Sequence, residues 1–308
     1  MLKEVGEKIR IADYLVVAQL FLRDNFLLER PLQFEDIKPR LLGHWGTCHG
    51  INLIYQNLAE FFRGDENYSF ILGPGHGFPA LQANLWIEGK VDLGVEELCR
   101  SFSWPDGVPS HSNPSTPGVI TEGGELGYAL AAGFGAALGH PEKTIAVLIG
   151  DGELETATAL ASLNLIKLVK RPEHGKVIPI LHLNGYKISG PTIYGRKSER
   201  ELAELIRGFG YVPIWIKNTN TGRVQADLRE ASETMNPFLI LKTEKGEGGP
   251  EEVDGRKIRG NCLAHQIPLP LAKTDEGQLR ILENWLRSYE ILEFFDKETG
   301  RLKRWLRI

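Results

Sequence analysis

The sequence predicts an α/β protein whose parallel sheet is flanked by helices on both faces, and two observations support this fold class. From Tyr68 onward, short β-branched apolar runs alternate with segments long enough to form crossover helices. The runs are apolar almost throughout, as is typical of parallel strands that are buried on both faces. The predicted strands are YSFILG, KTIAVLIG, KVIPILHL, YVPIWI and PFLILKT.

Helices are predicted in the intervening segments and at both ends of the chain. One of them opens with Ser198, and Glu201 follows three residues later, which is the pattern of a capping box. The segment 103–118 holds four prolines and is therefore predicted to be a long irregular connection. Besides an amino-terminal helical arm at about 1–40, the predicted helices are GINLIYQNLAEFF, GELGYALAAGFGAAL, ETATALASLNLIKLV, SERELAELIRGFG and GQLRILENWLRSYEILEFF.

The composition excludes several classes of function. The chain has 308 residues and a net charge of -4, so it has no diffuse basic field for binding nucleic acid or an anionic membrane. No apolar run approaches the roughly 20 residues that a membrane span needs. The three cysteines lack CxxC spacing, which argues against a zinc site or a disulfide framework. We therefore expect a cytoplasmic protein.

Polar side chains follow two of the predicted strands at the point where each strand ends. Gly150, Asp151 and Gly152 follow the second strand, and Asn184 follows the third. In an open parallel sheet, ligands bind beyond the carboxyl ends of the strands, so a carboxylate and an amide there could share one magnesium ion. The alternative is two unrelated turns, because Asp-Gly and Asn-Gly are both common in turns.

This arrangement resembles the thiamine diphosphate signature, in which GDG is followed, beyond the next strand, by Asn. Further segments are similar to the amino-terminal, diphosphate-binding domain of phosphoketolases. The resemblance covers almost the whole chain. The similar segments are LLGHWGTCHGINLIY, LGPGHGFPALQANLWIEG, FSWPDGVPSHSNPSTPGVITEGGELGYALAAGFGAAL, ILHLNGYKISGPTI, KGEGGPEEVDGRKIRGNCLAHQIPLP and LENWLRSYEILEFFD.

The resemblance implies thiamine diphosphate and magnesium as cofactors, with calcium as a substitute for magnesium. Asp151, Asn184 and the carbonyl of Tyr186 would bind the metal. Lys245 would place a positive charge near the cofactor's phosphates. The positions implied to contact the cofactor are Gly124, Glu125, Leu126, Gly152, Glu153, Asn184 and Lys245.

The resemblance also assigns catalytic roles to histidines. The chemistry requires proton movement near neutral pH, and imidazole is the side chain whose ordinary pKa suits that task. The histidines in matching motifs are His44, His76, His111 and His265. The alternative for any single histidine is a structural role, and we favour that role for His49, His140, His174 and His182.

Phosphoketolases are lyases that split a ketose phosphate, xylulose 5-phosphate or fructose 6-phosphate, with inorganic phosphate into acetyl phosphate and an aldose phosphate. The family's pyrimidine-binding and third domains have no counterpart in this sequence. We therefore expect residues 1–308 to form a single diphosphate-binding domain with a carboxy-terminal extension at about 246–308. A separate polypeptide is expected to supply the missing domains within a homo- or hetero-oligomer.

The sequence departs from the family pattern at several points near the expected site. Thr121 stands where the family usually has histidine, and Glu247 replaces a tryptophan. Two alternatives therefore stay open: a non-catalytic thiamine diphosphate-binding protein, and a transketolase-like transferase subunit. Retention of the four histidines and Lys245 favours the enzyme. The chain ends in KRWLRI, whose apolar side chains predict docking onto another surface.

Overall fold

A central parallel sheet organises the protein, whose computed structural model describes residues 2–296, 299–303 and 306. The strands are β1 (Tyr68–Leu72), β2 (Thr144–Gly150), β3 (Lys176–Leu183), β4 (Val212–Ile216) and β5 (Pro237–Lys242). They form a five-stranded sheet in the order β1-β2-β3-β5-β4, and every neighbouring pair is parallel. The predicted fold class and all the predicted strands are confirmed.

Helices cover both faces of this sheet. In the described part of the chain they are α1 (Leu2–Phe21), α2 (Cys48–Phe61), α3 (Phe78–Ile87), α4 (Val95–Ser101), α5 (Ala129–Gly139), α6 (Ala157–Ser162), α7 (Glu199–Phe209), α8 (Thr221–Glu233) and α9 (Glu276–Ser288). A short antiparallel pair, β6 (Glu252–Val253) and β7 (Arg256–Lys257), lies outside the main sheet. None of the described helices is long and apolar enough to cross a membrane.

The strands separate two hydrophobic cores, because successive side chains of a strand point to opposite faces. In β2, Ala146 and Leu148 belong to the core that also contains residues of α1, α2, α3, α8 and α9. Ile145 and Val147 belong to the core beneath α5, α6 and α7. The result is a three-layer sandwich.

The capping box predicted at Ser198 is present. The Ser198 hydroxyl accepts a hydrogen bond from the Glu201 amide, and the Glu201 carboxylate accepts one from the Ser198 amide. Gly210, at a φ of 98°, ends α7 in the left-handed conformation that favours glycine. Local sequence chemistry therefore fixed both ends of this helix.

Other predicted helices have different boundaries. The helix predicted over 124–138 begins only at Ala129, because the Gly127 amide donates to Glu153 and so holds the preceding segment in a loop. The helix predicted over 155–169 continues beyond α6 as a 3-10 helix. The tail helix, predicted over 277–295, ends at Ser288, and Glu290 then adopts a positive φ of 50°.

Three helices were not predicted: α3, α4 and α8. Every residue of α3 is buried, so this helix lacks the polar face that produces a helical period in sequence. In the predicted amino-terminal arm, the helix ends at Phe21 and is largely buried. It packs against α2 and α3 and forms part of one core.

The proline-rich connection predicted at 103–118 contains no helix or strand. It belongs to a longer irregular segment that joins α4 to α5. Within the carboxy-terminal KRWLRI segment, residues 304, 305, 307 and 308 lie outside the described residues, while Leu306 is buried. The docking predicted for that segment remains a prediction.

Candidate active site

A cavity of about 450 Å³ lies beyond the carboxyl ends of β1, β2 and β3. The turn after β1 carries His76, the loop after β2 carries Asp151, and the loop after β3 carries Asn184. This is the place where parallel α/β sheets bind ligands. The predicted site residues that line the cavity are His44, His76, His111, Gly124, Leu126, Asp151, Gly152, Glu153, Asn184, Tyr186, Lys245 and His265.

Asp151 connects the loops that follow β2 and β3. Its carboxylate accepts hydrogen bonds from the Gly185 amide at 2.6 Å, the Thr192 hydroxyl at 3.0 Å and the Gly152 amide at 3.0 Å. Burial raises the pKa of Asp151, and these hydrogen bonds act in the opposite direction. The strand-end proximity of Asp151 and Asn184 that the sequence predicts is therefore present.

Asn184 directly precedes Gly185, whose amide binds the Asp151 carboxylate. Asn184 is buried, and its side-chain oxygen accepts from the Tyr186 amide at 3.2 Å. Across the described ranges, no group of three or more His, Cys, Asp or Glu side chains is arranged to hold a metal ion. One carboxylate, one amide oxygen and one main-chain carbonyl form a set that suits magnesium, which keeps other coordination positions for phosphate and water.

Glu153 braces the neighbouring loops. Its carboxylate accepts from the Gly150 amide at 3.2 Å and from the Gly127 amide at 3.1 Å. Burial raises the pKa of Glu153 to about 7. A side chain at Gly73 would clash with this carboxylate, so Gly73 must be small here. Glu153 therefore joins the end of β2 to the loop that precedes α5.

The four predicted histidines form one cluster with His44 at its centre. The His44 ring centroid lies 4.9 Å from that of His76, 5.1 Å from His265 and 6.0 Å from His111. The Nδ1 atoms of His44 and His265 are buried and have no hydrogen-bond partner among the described residues. Buried polar atoms are rarely left unpaired, so these two nitrogens are suited to bind a polar ligand.

The electrostatics of the cluster favour neutral imidazole. Burial, with a smaller contribution from neighbouring histidines and Lys245, lowers the pKa of His44 to about 4 and that of His76 well below its usual range. Burial and Lys245 lower the pKa of His265 to about 3. Burial also lowers the pKa of Lys245 to about 8, against the opposing effect of Asp151. A neutral imidazole offers one donor and one acceptor.

The proline-rich connection reaches the cluster through backbone contacts. The Ser112 amide donates to the Gly75 carbonyl at 3.3 Å, and the Gly123 amide donates to the Ser112 carbonyl at 2.9 Å. A side chain at Gly75 would clash with the backbone of Gly123. These contacts hold the segment that carries His111 against the turn that carries His76.

Some cavity residues were not predicted, and one predicted residue lies elsewhere. Glu125 is exposed and does not line the cavity, although its neighbours Gly124 and Leu126 do, because this segment is irregular. The tip of the loop after β3 was missed, although its flanking glycines, Gly185 and Gly190, signal a turn. The additional lining residues are Thr47, Pro74, Gly123, Gly150, Lys187, Ile188 and Ser189.

Two of the remaining histidines are hydrogen-bonded to other side chains, His182 in the interior and His49 in a partly buried position. His182 on β3 lies 2.9 Å from the Thr47 hydroxyl and 2.8 Å from the Thr243 hydroxyl. His49 pairs with Asp13 at 2.7 Å. Neither lines the cavity.

Solved structures share this fold. A transketolase from Leishmania mexicana aligns with a TM-score of 0.66 at 20% identity, over 95% of this chain and 46% of that one. A transketolase from Campylobacter jejuni aligns with a TM-score of 0.65 at 20% identity, over 94% of this chain and 46% of that one. These similarities support the transketolase-like fold.

Sequence comparisons identify the family. The family model described as XFP N-terminal domain matches residues 1–236 and 220–307. A protein named "Probable phosphoketolase" from Bradyrhizobium diazoefficiens is 42% identical over 93% of this chain and 40% of its own length. A protein of the same name from Rhodopseudomonas palustris is 44% identical over 93% of this chain and 41% of its own length. The chain thus spans about 40% of the length of these relatives, and it belongs to the phosphoketolase family, whose amino-terminal domain it matches.

Proposed function

We propose that this chain is the diphosphate-binding domain of a thiamine diphosphate-dependent phosphoketolase. The reaction would cleave xylulose 5-phosphate, fructose 6-phosphate or both with inorganic phosphate, giving acetyl phosphate and an aldose phosphate. The observation that carries the proposal is one cavity that contains both an oxygen donor set at the strand ends and a buried histidine cluster.

The residues at the strand ends fit the cofactor. Asp151, Asn184 and the Tyr186 carbonyl would hold magnesium, or calcium in its place. Lys245 would face the diphosphate, and its positive charge would complement the phosphate oxygens. When bound, thiamine diphosphate supplies the nucleophilic carbon that attacks the ketose carbonyl.

The histidine cluster would serve the substrate. Neutral His44, His76 and His265 can accept hydrogen bonds from the sugar hydroxyls and can donate to oxygen atoms that gain negative charge. The unpaired Nδ1 atoms of His44 and His265 are suited to this role. His111, on the proline-rich connection, would complete the cluster. Proton transfer between these imidazoles and the substrate is the chain's own contribution to the chemistry.

The remaining part of the site would come from outside this chain. We propose that a separate polypeptide supplies the pyrimidine-binding and carboxy-terminal domains within an oligomer. Exposed apolar side chains support such an interface: Leu126 and Ile188 line the cavity with relative exposures of 42% and 63%, and Ile120 and Tyr128 are also exposed. Contiguous exposed apolar surface usually marks an interaction site.

The proposal is tested by measuring acetyl phosphate as its hydroxamate. We expect no turnover by the chain alone. Turnover should appear when the chain is copurified with a polypeptide that carries the missing domains and is then supplied with thiamine diphosphate and magnesium. A complete complex that only transfers the two-carbon unit to an aldose would support the transketolase-like alternative. A complex that binds cofactor but turns over neither reaction would support the non-catalytic alternative.

A further inference from the structure

The loop 244–249 carries Lys245 into the cavity and is rich in glycine. Gly246 and Gly248 adopt positive φ values of 77° and 78°, and Gly249 follows directly. Glycine is the most flexible residue in the unfolded chain, so a loop rich in glycine depends on external contacts to stay in one conformation. Lys245 is nevertheless only 2% exposed.

Aromatic side chains supply those contacts by donating hydrogen bonds to the loop's carbonyls. The Trp285 indole donates to the Gly248 carbonyl at 2.7 Å, and the Trp45 indole donates to the Gly246 carbonyl at 3.2 Å. The Tyr289 hydroxyl lies 3.3 Å from the same Gly248 carbonyl and 3.0 Å from the Trp285 indole nitrogen.

The aromatic groups also pack on one another. The ring centroids of Trp45 and Trp285 lie 4.8 Å apart in an edge-to-face arrangement. Such pairs stabilise a structure beyond the area that they bury. Trp285 and Tyr289 are four residues apart, so they share one face of the turn that ends α9. The sequence predicts a helix over this part of the chain but does not indicate that its aromatic side chains contact the loop.

Further contacts connect the loop to the segment that carries His44. The Gly246 amide donates to the Gly46 carbonyl at 2.9 Å, and the Gly260 amide donates to the Lys245 carbonyl at 2.8 Å. A Cβ added at Gly46 would lie 2.8 Å from Lys245 Cε, so the lysine side chain passes directly over that glycine. The path of Lys245 into the cavity is therefore tightly defined.

We propose that Trp45, Trp285 and Tyr289 form a clamp that holds loop 244–249 and so positions the Lys245 ammonium for an anionic ligand in the cavity. The identity of that anion as a diphosphate rests on the proposed function. The clamp itself rests on the contacts around the loop. These three are positioning residues, because they act on the ligand through Lys245.

Conservative variants test the clamp. Trp285→Phe and Tyr289→Phe keep an aromatic ring but remove the donor. Trp86→Phe is a matched control: Trp86 is 7% exposed, like Trp285, and its indole donates to the Leu93 carbonyl at 2.7 Å, away from the cavity lining. Hydrogen–deuterium exchange of the peptide covering 244–249 is expected to accelerate about fivefold in Trp285→Phe, as for the loss of one hydrogen bond. It should stay unchanged in Trp86→Phe.

A binding measurement tests the effect on Lys245. Calorimetry with thiamine diphosphate and magnesium, and separately with inorganic pyrophosphate, should show affinity about fivefold weaker in Trp285→Phe. Lys245→Ala should show the largest loss of affinity, and the affinity of Trp86→Phe should match that of the wild type. Unchanged loop exchange in Trp285→Phe overturns the clamp. Faster exchange with unchanged affinity, while Lys245→Ala weakens binding, overturns its positioning role.

A ligand-free readout separates this inference from the proposed function. Acylation of Lys245 by a water-soluble reagent, followed by mass spectrometry, should be faster in Trp285→Phe than in the wild type and in Trp86→Phe. A wild-type chain, with its partner present, that binds neither ligand contradicts the proposed cofactor. In that case the clamp stands if Lys245 labelling rises in Trp285→Phe, and it fails if labelling does not change.

Discussion

The two ends of the cavity differ in how completely their polar groups are satisfied. At the strand-end side, Asp151 accepts hydrogen bonds from Gly152, Gly185 and Thr192 and so joins neighbouring loops. At the histidine side, the Nδ1 atoms of His44 and His265 are buried without a partner among the described residues. The first side is fixed before any ligand arrives, whereas the second has hydrogen-bonding capacity available for a ligand.

The two ends of the cavity are therefore suited to different functions. A satisfied, rigid carboxylate is suited to hold a metal in one geometry, and unsatisfied imidazoles are suited to respond to a substrate whose charges change during reaction. Variants at the two ends of the cavity should therefore have separable effects.

Removing the carboxylate at the strand end should abolish metal-dependent cofactor binding. We expect Asp151→Ala to weaken thiamine diphosphate binding in magnesium by more than about 100-fold, because a buried metal site loses its charged ligand. Asn184→Ala should also weaken thiamine diphosphate binding in magnesium. Calorimetry with and without magnesium measures both.

Asp227→Ala is the matched control for that measurement. Asp227 is 2% exposed, as is Asp151, but it lies on α8 and does not line the cavity. Its affinity for the cofactor should match the wild type. Unchanged cofactor affinity in both Asp151→Ala and Asn184→Ala would contradict the proposal that these residues bind the metal.

Removing the central imidazole should reduce turnover while preserving cofactor binding. In the complete complex, His44→Gln is expected to lower acetyl phosphate formation about 100-fold, as is typical for the loss of an acid–base group. Its cofactor affinity should stay within about threefold of the wild type, because His44 lies in the histidine cluster. The exposed His140→Gln is the control. Equal loss of binding and turnover in His44→Gln would contradict the division between the two ends.

Enlarging Gly75 should disturb the contact between the His76 turn and the segment that carries His111. The added methyl group in Gly75→Ala would clash with the Gly123 backbone, so the turn with His76 and the segment with His111 must separate. Overpacking of this kind costs about 1–3 kcal/mol in free energy of unfolding. Chemical denaturation measures that loss. Gly135→Ala, where an added Cβ meets nothing within 4 Å, should be close to neutral or stabilising.

The pH dependence of stability should show two opposite contributions. Burial lowers the pKa of His44 from 6.5 to about 4, so the unfolded state takes up its proton first as the pH falls. The stability that this residue contributes is present above about pH 6.5 and is lost as the pH falls from 6.5 towards 4. At about 1.4 kcal/mol per pKa unit the effect is on the order of 3 kcal/mol, and His44→Gln should flatten the acid limb in pH-dependent denaturation.

His49 should behave in the reverse sense. Burial lowers its pKa, but the stronger combined effect of Asp13 raises the pKa to about 9. Because its pKa is raised, His49 contributes its full stabilisation below about pH 6.5, and this stability is lost as the pH rises through about 9. His49→Gln should flatten only the alkaline limb. An alkaline limb that is identical in His49→Gln and the wild type would contradict the ion pair.

Some features of this molecule are encoded locally, and these could be predicted. The strands are short apolar runs, and α7 carries its own start and stop signals in Ser198 and Gly210. In contrast, α3 could not be recognised, because complete burial removes the polar face that a periodicity argument needs. Boundaries such as the start of α5 depend on a tertiary contact, the hydrogen bond between Gly127 and Glu153.

Site residues, too, could be predicted only where the sequence pattern itself brings them together. Asp151 and Asn184 could be placed together because neighbouring parallel strands end at one edge. The convergence of His44 with His265 followed only from the family resemblance, since no local pattern brings such distant residues together. The contact of Trp45 with Trp285 could not be predicted, because Trp45 precedes α2 and Trp285 lies on α9, and only tertiary packing brings these distant segments together.

The most direct test is a crystal structure of the protein with thiamine diphosphate and magnesium, grown with a polypeptide that carries the proposed additional domains. We expect the metal about 2.0–2.1 Å from oxygen atoms of Asp151, Asn184 and the Tyr186 carbonyl, as is usual for magnesium. The diphosphate should lie against that metal, with Lys245 facing it. A diphosphate bound elsewhere, or a metal held without Asp151 and Asn184, would contradict the account.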